Sequence, residues 1–368
     1  MMNPHLFARE PLRNLPKTVH GGQAWRLKGV EDYSHNLNPF GPPEDIDSII
    51  SEAACNIDHY PDDSSAVLKE TISKKFGVSE QGIVIGSGSS DIIRMFPNTF
   101  LTPKDRVTIP RPSFAEYAQQ CRIVGCNVSI LDLERERNFR IDYDALKRDA
   151  ENSRAVYICN PNNPTGMIES RDDILSFVEW CSSREILVFL DETLLELVPA
   201  HKYISCARYV SDYDNLIVAC SLTKSFAIPG IRIGFGFGNE ALIEEMNKVR
   251  MTWNVGAIEQ NVANVLIRDR MDHVRKAADL MSSESKWMRS QLEGIGFPVT
   301  ESDSYFYFNP LDSMGITAAE FVHRMLKRKI MVRDCTSFGD RFVSFVRFCV
   351  KDRKRNEKFV KAVQKSMV

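Results

Sequence analysis

The chain has 368 residues, of which 43% are hydrophobic and 26% charged, with a formal net charge of −2. That length exceeds what a single core usually holds, so two lobes around one site are expected; the near-neutral charge offers no electrostatic basis for binding nucleic acid or an anionic membrane. Nine cysteines without a C-x-x-C pair read as reduced thiols of a cytoplasmic protein, not as a disulfide framework or a metal site.

The opening stretch MMNPHLFAREPLRNLPKTVHGG has no apolar core of the signal-peptide kind, and no apolar run approaches the roughly 18 residues that a membrane span needs. Neither secretion nor membrane insertion is expected. Further along come seven short apolar runs: GIVIGSG (82–88), DRVTIP (105–110), CNVSILDL (126–133), AVYICNP (155–161), ILVFLDE (186–192), NLIVACS (215–221) and RIGFGFG (232–238). Between several of them lie amphipathic stretches such as SRDDILSFVEWCSSR (170–184). Strand and helix alternating at this repeat predict an α/β fold, a mostly parallel seven-stranded sheet flanked by helices. After Trp253 the texture changes to a long charged helical region over 257–294. It is followed by SYFYFNP, a helix near 317–328, IMVRD and FVSFVRFCV. That pattern predicts a smaller α+β domain. The expected division is an N-terminal arm (1–45) joining the small domain, a large domain (46–256) and a small C-terminal domain (257–368).

Ligands of an open α/β sheet sit beyond the carboxyl ends of its strands, and several of these ends carry distinctive residues. GSGSSDII, with Ser89 and Ser90, leads small residues into a helix whose free N–H groups suit a phosphate, though an ordinary helix cap reads the same way. NPNNPTG (160–166) fixes a rigid turn that can hold Asn side chains at set angles. Asp191 ends the very apolar run ILVFL, where an acid is costly unless it meets a cation, be that a ligand or a structural partner. SLTKSFAIPGIRIGF sets Lys224 between Ser221 and Arg232 at another strand end. A reactive lysine, a buried acid and a phosphate cradle are the parts that pyridoxal phosphate chemistry requires.

These motifs, in this order through nearly the whole chain, resemble the fold-type I pyridoxal phosphate enzymes, in the aminotransferase class that contains histidinol-phosphate aminotransferase. HGG (20–22), YSHNLNPFG (33–41), YPD (60–62), PSFAEY (112–117) and IPGIRIG resemble more closely the L-threonine-O-3-phosphate decarboxylases of cobamide synthesis. The resemblance implies pyridoxal 5′-phosphate as cofactor, with Lys224 and Asp191 as catalytic residues: Lys224 would bind the cofactor through its amine, and Asp191 would pair with the pyridine nitrogen. Asn163 would hydrogen-bond the cofactor's phenolic oxygen and Phe114 would stack on the ring. Ser89, Ser90, Ser221 and Arg232 would hold its phosphate, helped by Tyr60 from a second subunit of a homodimer. Arg347 matches the family's carboxylate-binding arginine, and Arg333, His20 and Asn38 are candidates for the phosphate of a phosphorylated amino acid. His20 and Asn38 read equally as turn chemistry. Leu194 departs from the aminotransferases, which have Tyr three residues after the aspartate. That departure weakens a transaminase reading more than a decarboxylase one. The activity implied is release of carbon dioxide from threonine phosphate, with histidinol-phosphate transamination as the alternative.

Overall fold

The computed structural model describes residues 7–18, 21–22, 24–199 and 205–367. A short first strand, β1 (Glu31–Asp32), lies apart from the main sheet. The seven apolar runs then become β2 (Ile83–Gly86), β3 (Arg106–Arg111), β4 (Asn127–Asp132), β5 (Ala155–Cys159), β6 (Leu187–Asp191), β7 (Leu216–Ser221) and β8 (Gly234–Gly238). They form one sheet in the order β2-β8-β7-β6-β5-β3-β4. Pairings from β4 through β7 are parallel, whereas β8 runs antiparallel to both β2 and β7. The mostly parallel seven-stranded sheet is therefore present.

Every residue of β5, β6, β7 and β8 is buried, as expected for strands covered on both faces. Alternation sends Val156, Ile158, Val188 and Leu190 into one apolar layer, while Tyr157, Phe189 and Ile217 pack with Phe96 and Met246 in the other. Helices are anchored by local capping: Asp142 accepts from Asp144 N and Ala145 N, and Ser170 from Asp173 N. The helix Ser89–Phe100 has Gly88 as its N-cap, and no side chain caps its first N–H groups.

Residues 257–294 form two helices, Ala257–Asp269 and Met271–Gly294, instead of one continuous helix. The break falls at Arg270, whose φ of −125° leaves the helical region and whose guanidinium pairs with Asp45. Beyond lie β9 (Phe306–Pro310), a helix Ala318–Lys327 opened by a Thr317–Glu320 capping box, β10 (Ile330–Met331), β11 (Arg333–Asp334) and β12 (Phe345–Cys349). The run IMVRD is split at Val332: β10 pairs in parallel with β1, while β11 joins an antiparallel β11-β12-β9 sheet. The N-terminal segment after β1 is thereby drawn alongside residues 332 onward. Among the described residues, no helix is long and apolar enough to cross a membrane.

Candidate functional site

A cavity of about 300 Å³ opens beyond the carboxyl ends of β5, β6 and β7, between the main sheet and the β11-β12-β9 sheet. Of the residues expected from sequence, Ser89, Phe114, Asn163, Asp191, Lys224, Arg333 and Arg347 line it. Leu194 lines it as well. His20 lies outside the described residues.

Asp191 ends β6 and is buried. Its Oδ1 accepts from the Thr193 N–H at 2.9 Å and its Oδ2 from the Tyr117 hydroxyl at 2.7 Å. Burial raises its pKa above the ordinary carboxylate range, and those two donors oppose the rise. A cationic partner in the cavity would restore the ionised form. Tyr117, in the same turn of chain as Phe114, stays a neutral phenol because burial and the neighbouring Asp191 push its pKa well up.

Lys224 sits in the single-turn helix Leu222–Ser225 that follows β7 directly. Burial, then the positive charges of Arg347 and Arg232, lower its pKa to about 8. The Ser221 hydroxyl caps this turn: it accepts from Thr223 N at 3.2 Å and lies 3.0 Å from the Ile233 carbonyl and 2.9 Å from Thr223 Oγ1. Ser221 is fully buried beneath the lysine and is not on the cavity wall.

Where β8 meets the helix Ser89–Phe100, two glycines permit an approach no side chain would allow. Gly88 has a φ of +80°, and a Cβ on it would lie 2.3 Å from Arg232 Nη2. A Cβ on Gly234 would lie 2.4 Å from Ser89 N. Arg232 also donates to Ser90 Oγ at 3.3 Å. The result is an uncapped helix N-terminus with a guanidinium beside it, a constellation suited to a phosphate. Tyr60 is 72% exposed and stacks on Trp253 with ring centroids 4.0 Å apart. Trp253 shares a shallow outer depression with Ser87 and Ser90.

Arg333 and Arg347 face each other in register across β11 and β12, and both are buried on the cavity wall. Arg347 donates from Nη1 to Asn163 Oδ1 and from Nη2 to the Ser34 carbonyl, while its Nε has no hydrogen-bond partner. Arg333 donates to Ser337 Oγ at 2.7 Å. Burial lowers the pKa of both guanidiniums, yet arginine remains a cation in proteins. Asn38 does not line the cavity: its Nδ2 donates to the Ser225 carbonyl at 2.9 Å, its Oδ1 accepts from Phe40 N, and its own N–H donates to the Lys224 carbonyl. It ties the N-terminal segment to the lysine turn.

The cavity also holds residues that sequence reading left out, among them Tyr117, Cys159, His35, Asn36 and Ser337. Tyr117 stands one helical turn after Phe114 in the quoted PSFAEY, so its spacing was a usable signal. Cys159 is the Cα partner of Asp191 across β5 and β6, a relation that only the sheet register reveals.

The family model for aminotransferases of class I and II matches residues 30–363. A histidinol-phosphate aminotransferase from Moorella thermoacetica is 29% identical over 340 residues, covering 92% of this chain and 86% of that one. A protein from Caldanaerobacter subterraneus subsp. tengcongensis with the provisional name threonine-phosphate decarboxylase is 31% identical over 329 residues, covering 89% and 88%. A solved histidinol-phosphate aminotransferase from Sinorhizobium meliloti, in complex with pyridoxal-5′-phosphate, matches with a TM-score of 0.86 at 18% identity, covering 98% of this chain and 97% of that one. At that identity the likeness speaks for the fold alone.

Proposed function

The chain belongs to the aminotransferase class I and II family, whose cofactor is pyridoxal 5′-phosphate, and on that premise we propose that it decarboxylates L-threonine O-3-phosphate. The products would be carbon dioxide and (R)-1-amino-2-propanol O-2-phosphate, a precursor used in cobamide synthesis. The observation that carries this reading is the in-register pair Arg333 and Arg347, two buried guanidiniums on the wall of the cavity that contains Lys224. Such a pair suits a substrate with a carboxylate and a phosphate at once. Support for the decarboxylase comes from the relative that is 31% identical and from the aliphatic Leu194 on the cavity wall.

The donor set fits the cofactor. A buried acid with a raised pKa awaits a cation, a lysine is held near neutrality, and an uncapped helix start awaits an anion. When bound, the cofactor supplies an electron sink joined to the substrate's amino-bearing carbon. Lys224 would hold the cofactor and later return a proton to that carbon. Asp191 would keep a proton on the pyridine nitrogen. Asn163 would donate to the ring oxygen, with Arg347 fixing its side-chain oxygen, and Phe114 would cover the ring face. Ser89, Ser90 and Arg232 would take the cofactor phosphate, with Ser221 supporting them through the lysine turn and Tyr60 reaching in from the second subunit of a homodimer.

Arg347 would orient the substrate carboxylate and Arg333 its phosphate. These two anchors would decide which Cα bond is set to break. Arg347 and Arg333 poising the carboxylate for loss would release carbon dioxide; poising the Cα–H bond instead would lead to transamination.

The second reading, histidinol-phosphate transamination, is favoured by the 29% identical Moorella relative. Holoenzyme given O-phospho-L-threonine without any oxo acid should accumulate the amino-propanol phosphate over many turnovers. Turnover only with histidinol phosphate and 2-oxoglutarate, yielding glutamate, would select the second reading.

A further inference from the structure

One histidine on the cavity wall has no role in the chemistry above. His35 follows β1, and its Nδ1 lies 2.7 Å from Asp32 Oδ2. The other carboxylate oxygen, Oδ1, accepts from Ser34 N at 2.7 Å and from Ser34 Oγ at 2.6 Å. Burial tends to raise the Asp32 pKa, but the bonds from His35 and Ser34 outweigh it and hold the group below its ordinary value. Asp32 is thus an anion at neutral pH, and an anion at Nδ1 fixes a proton there and aims Nε2 elsewhere.

The fold brings the segment carrying His35 alongside the one carrying Arg333. Because β1 and β10 are parallel, with Asp32 opposite Met331, residues 33–35 and 332–334 leave the pair from the same end. His35 and Arg333 both line the cavity. Gly21 lies over the ring, and a Cβ there would stand 2.9 Å from His35 Nε2, so the glycine keeps that nitrogen uncovered. The carbonyl of the neighbouring Ser34 holds Arg347. With Lys224 and Asp191 engaged by the cofactor, Arg333 and Arg347 remain as cations on the cavity wall, and no further acid is among the described lining residues. That surplus suits a ligand with more than one negative group.

We propose that His35, oriented by Asp32, hydrogen-bonds through Nε2 to the substrate's phosphate beside Arg333, and so selects a phosphorylated amino acid over its unphosphorylated counterpart. This rests on the phosphorylated substrate proposed above. Asp32 is the positioning residue: its carboxylate holds Nδ1 and so fixes the ring.

The test titrates holoenzyme with O-phospho-L-threonine and, separately, with L-threonine, following the cofactor's visible band. His35→Gln, whose own band reports that it is folded and loaded, should raise the apparent Kd for O-phospho-L-threonine by roughly ten- to a hundredfold, the range of a charge-assisted hydrogen bond. Its Kd for L-threonine should stay within about twofold of the parent's. Asp32→Asn should show a smaller loss of the same selectivity with the Kd for L-threonine little changed, whereas a purely structural role would weaken both ligands alike. If the parent enzyme prefers O-phospho-L-threonine and His35→Gln keeps the same preference, this inference alone falls. If the parent enzyme does not distinguish the two ligands, the phosphorylated substrate and the role of His35 fall together.

Discussion

An exposed lysine is an ammonium ion at neutral pH, whereas burial and two neighbouring guanidiniums bring Lys224 to about 8. Only the neutral amine attacks a carbonyl. The rate at which apoprotein captures pyridoxal phosphate should therefore climb about tenfold per pH unit below 8 and level off above it; a climb that continues toward the ordinary lysine pKa would show the amine to be solvated. Lys224→Ala should show no covalent cofactor band at any pH. Tyr117 gives a second test. Because its hydroxyl helps hold Asp191 ionised against burial, Tyr117→Phe should move the acid limb of the activity profile to higher pH. It should also cost roughly tenfold in rate at neutral pH, about one hydrogen bond's worth. Lys224, Asp191 and Asn163 could be picked out as cavity residues because each lies at or just beyond a strand end inside a distinctive motif. Tyr117 had only its spacing from Phe114 to mark it, and its bond to Asp191 appears only in the folded chain; His35 had no such mark, since its meaning depends on β1 pairing with β10, the strand that leads into Arg333.

At the scale of elements, the seven strands could be read directly, because strands covered on both faces must be continuous apolar runs. What could not be read was direction. The run RIGFGFG looks like its neighbours, yet β8 is antiparallel to both, and its glycines are the trace of that placement. Gly234 lets β8 pass against the backbone of Ser89, so Gly234→Ala should force strand and helix start apart. We expect a stability loss of about 1–3 kcal/mol by denaturant titration and a larger proportional loss of cofactor affinity, because the displaced N–H groups are those of the cradle. Unchanged affinity would mean that the cofactor phosphate binds elsewhere. The split of IMVRD into β10 and β11 was likewise invisible, since two residues on either side of Val332 carry no periodicity of their own. That split is what brings Arg333 to face Arg347.

For the molecule as a whole, Tyr60, Trp253, Met251 and Ile57 leave large apolar groups exposed, with Trp253 and Met251 bordering the outer side of the cradle. The proposed homodimer would cover them. Sedimentation should give twice the chain mass, and Tyr60→Phe should keep the dimer while weakening cofactor binding by about tenfold, as expected for one hydrogen bond to a phosphate; a dimer with unaltered affinity would remove Tyr60 from the shared site. The two sheets, the cavity between them and the arginine pair bear together on one outcome, the fate of the substrate carboxylate. The most direct measurement follows O-phospho-L-threonine labelled with carbon-13 at that carboxylate, supplied to holoenzyme in a sealed vessel. The label should leave as carbon dioxide, in one-to-one yield with an amine that retains its nitrogen and phosphate. Label retained in an oxo acid, with the nitrogen left on the cofactor, would contradict it.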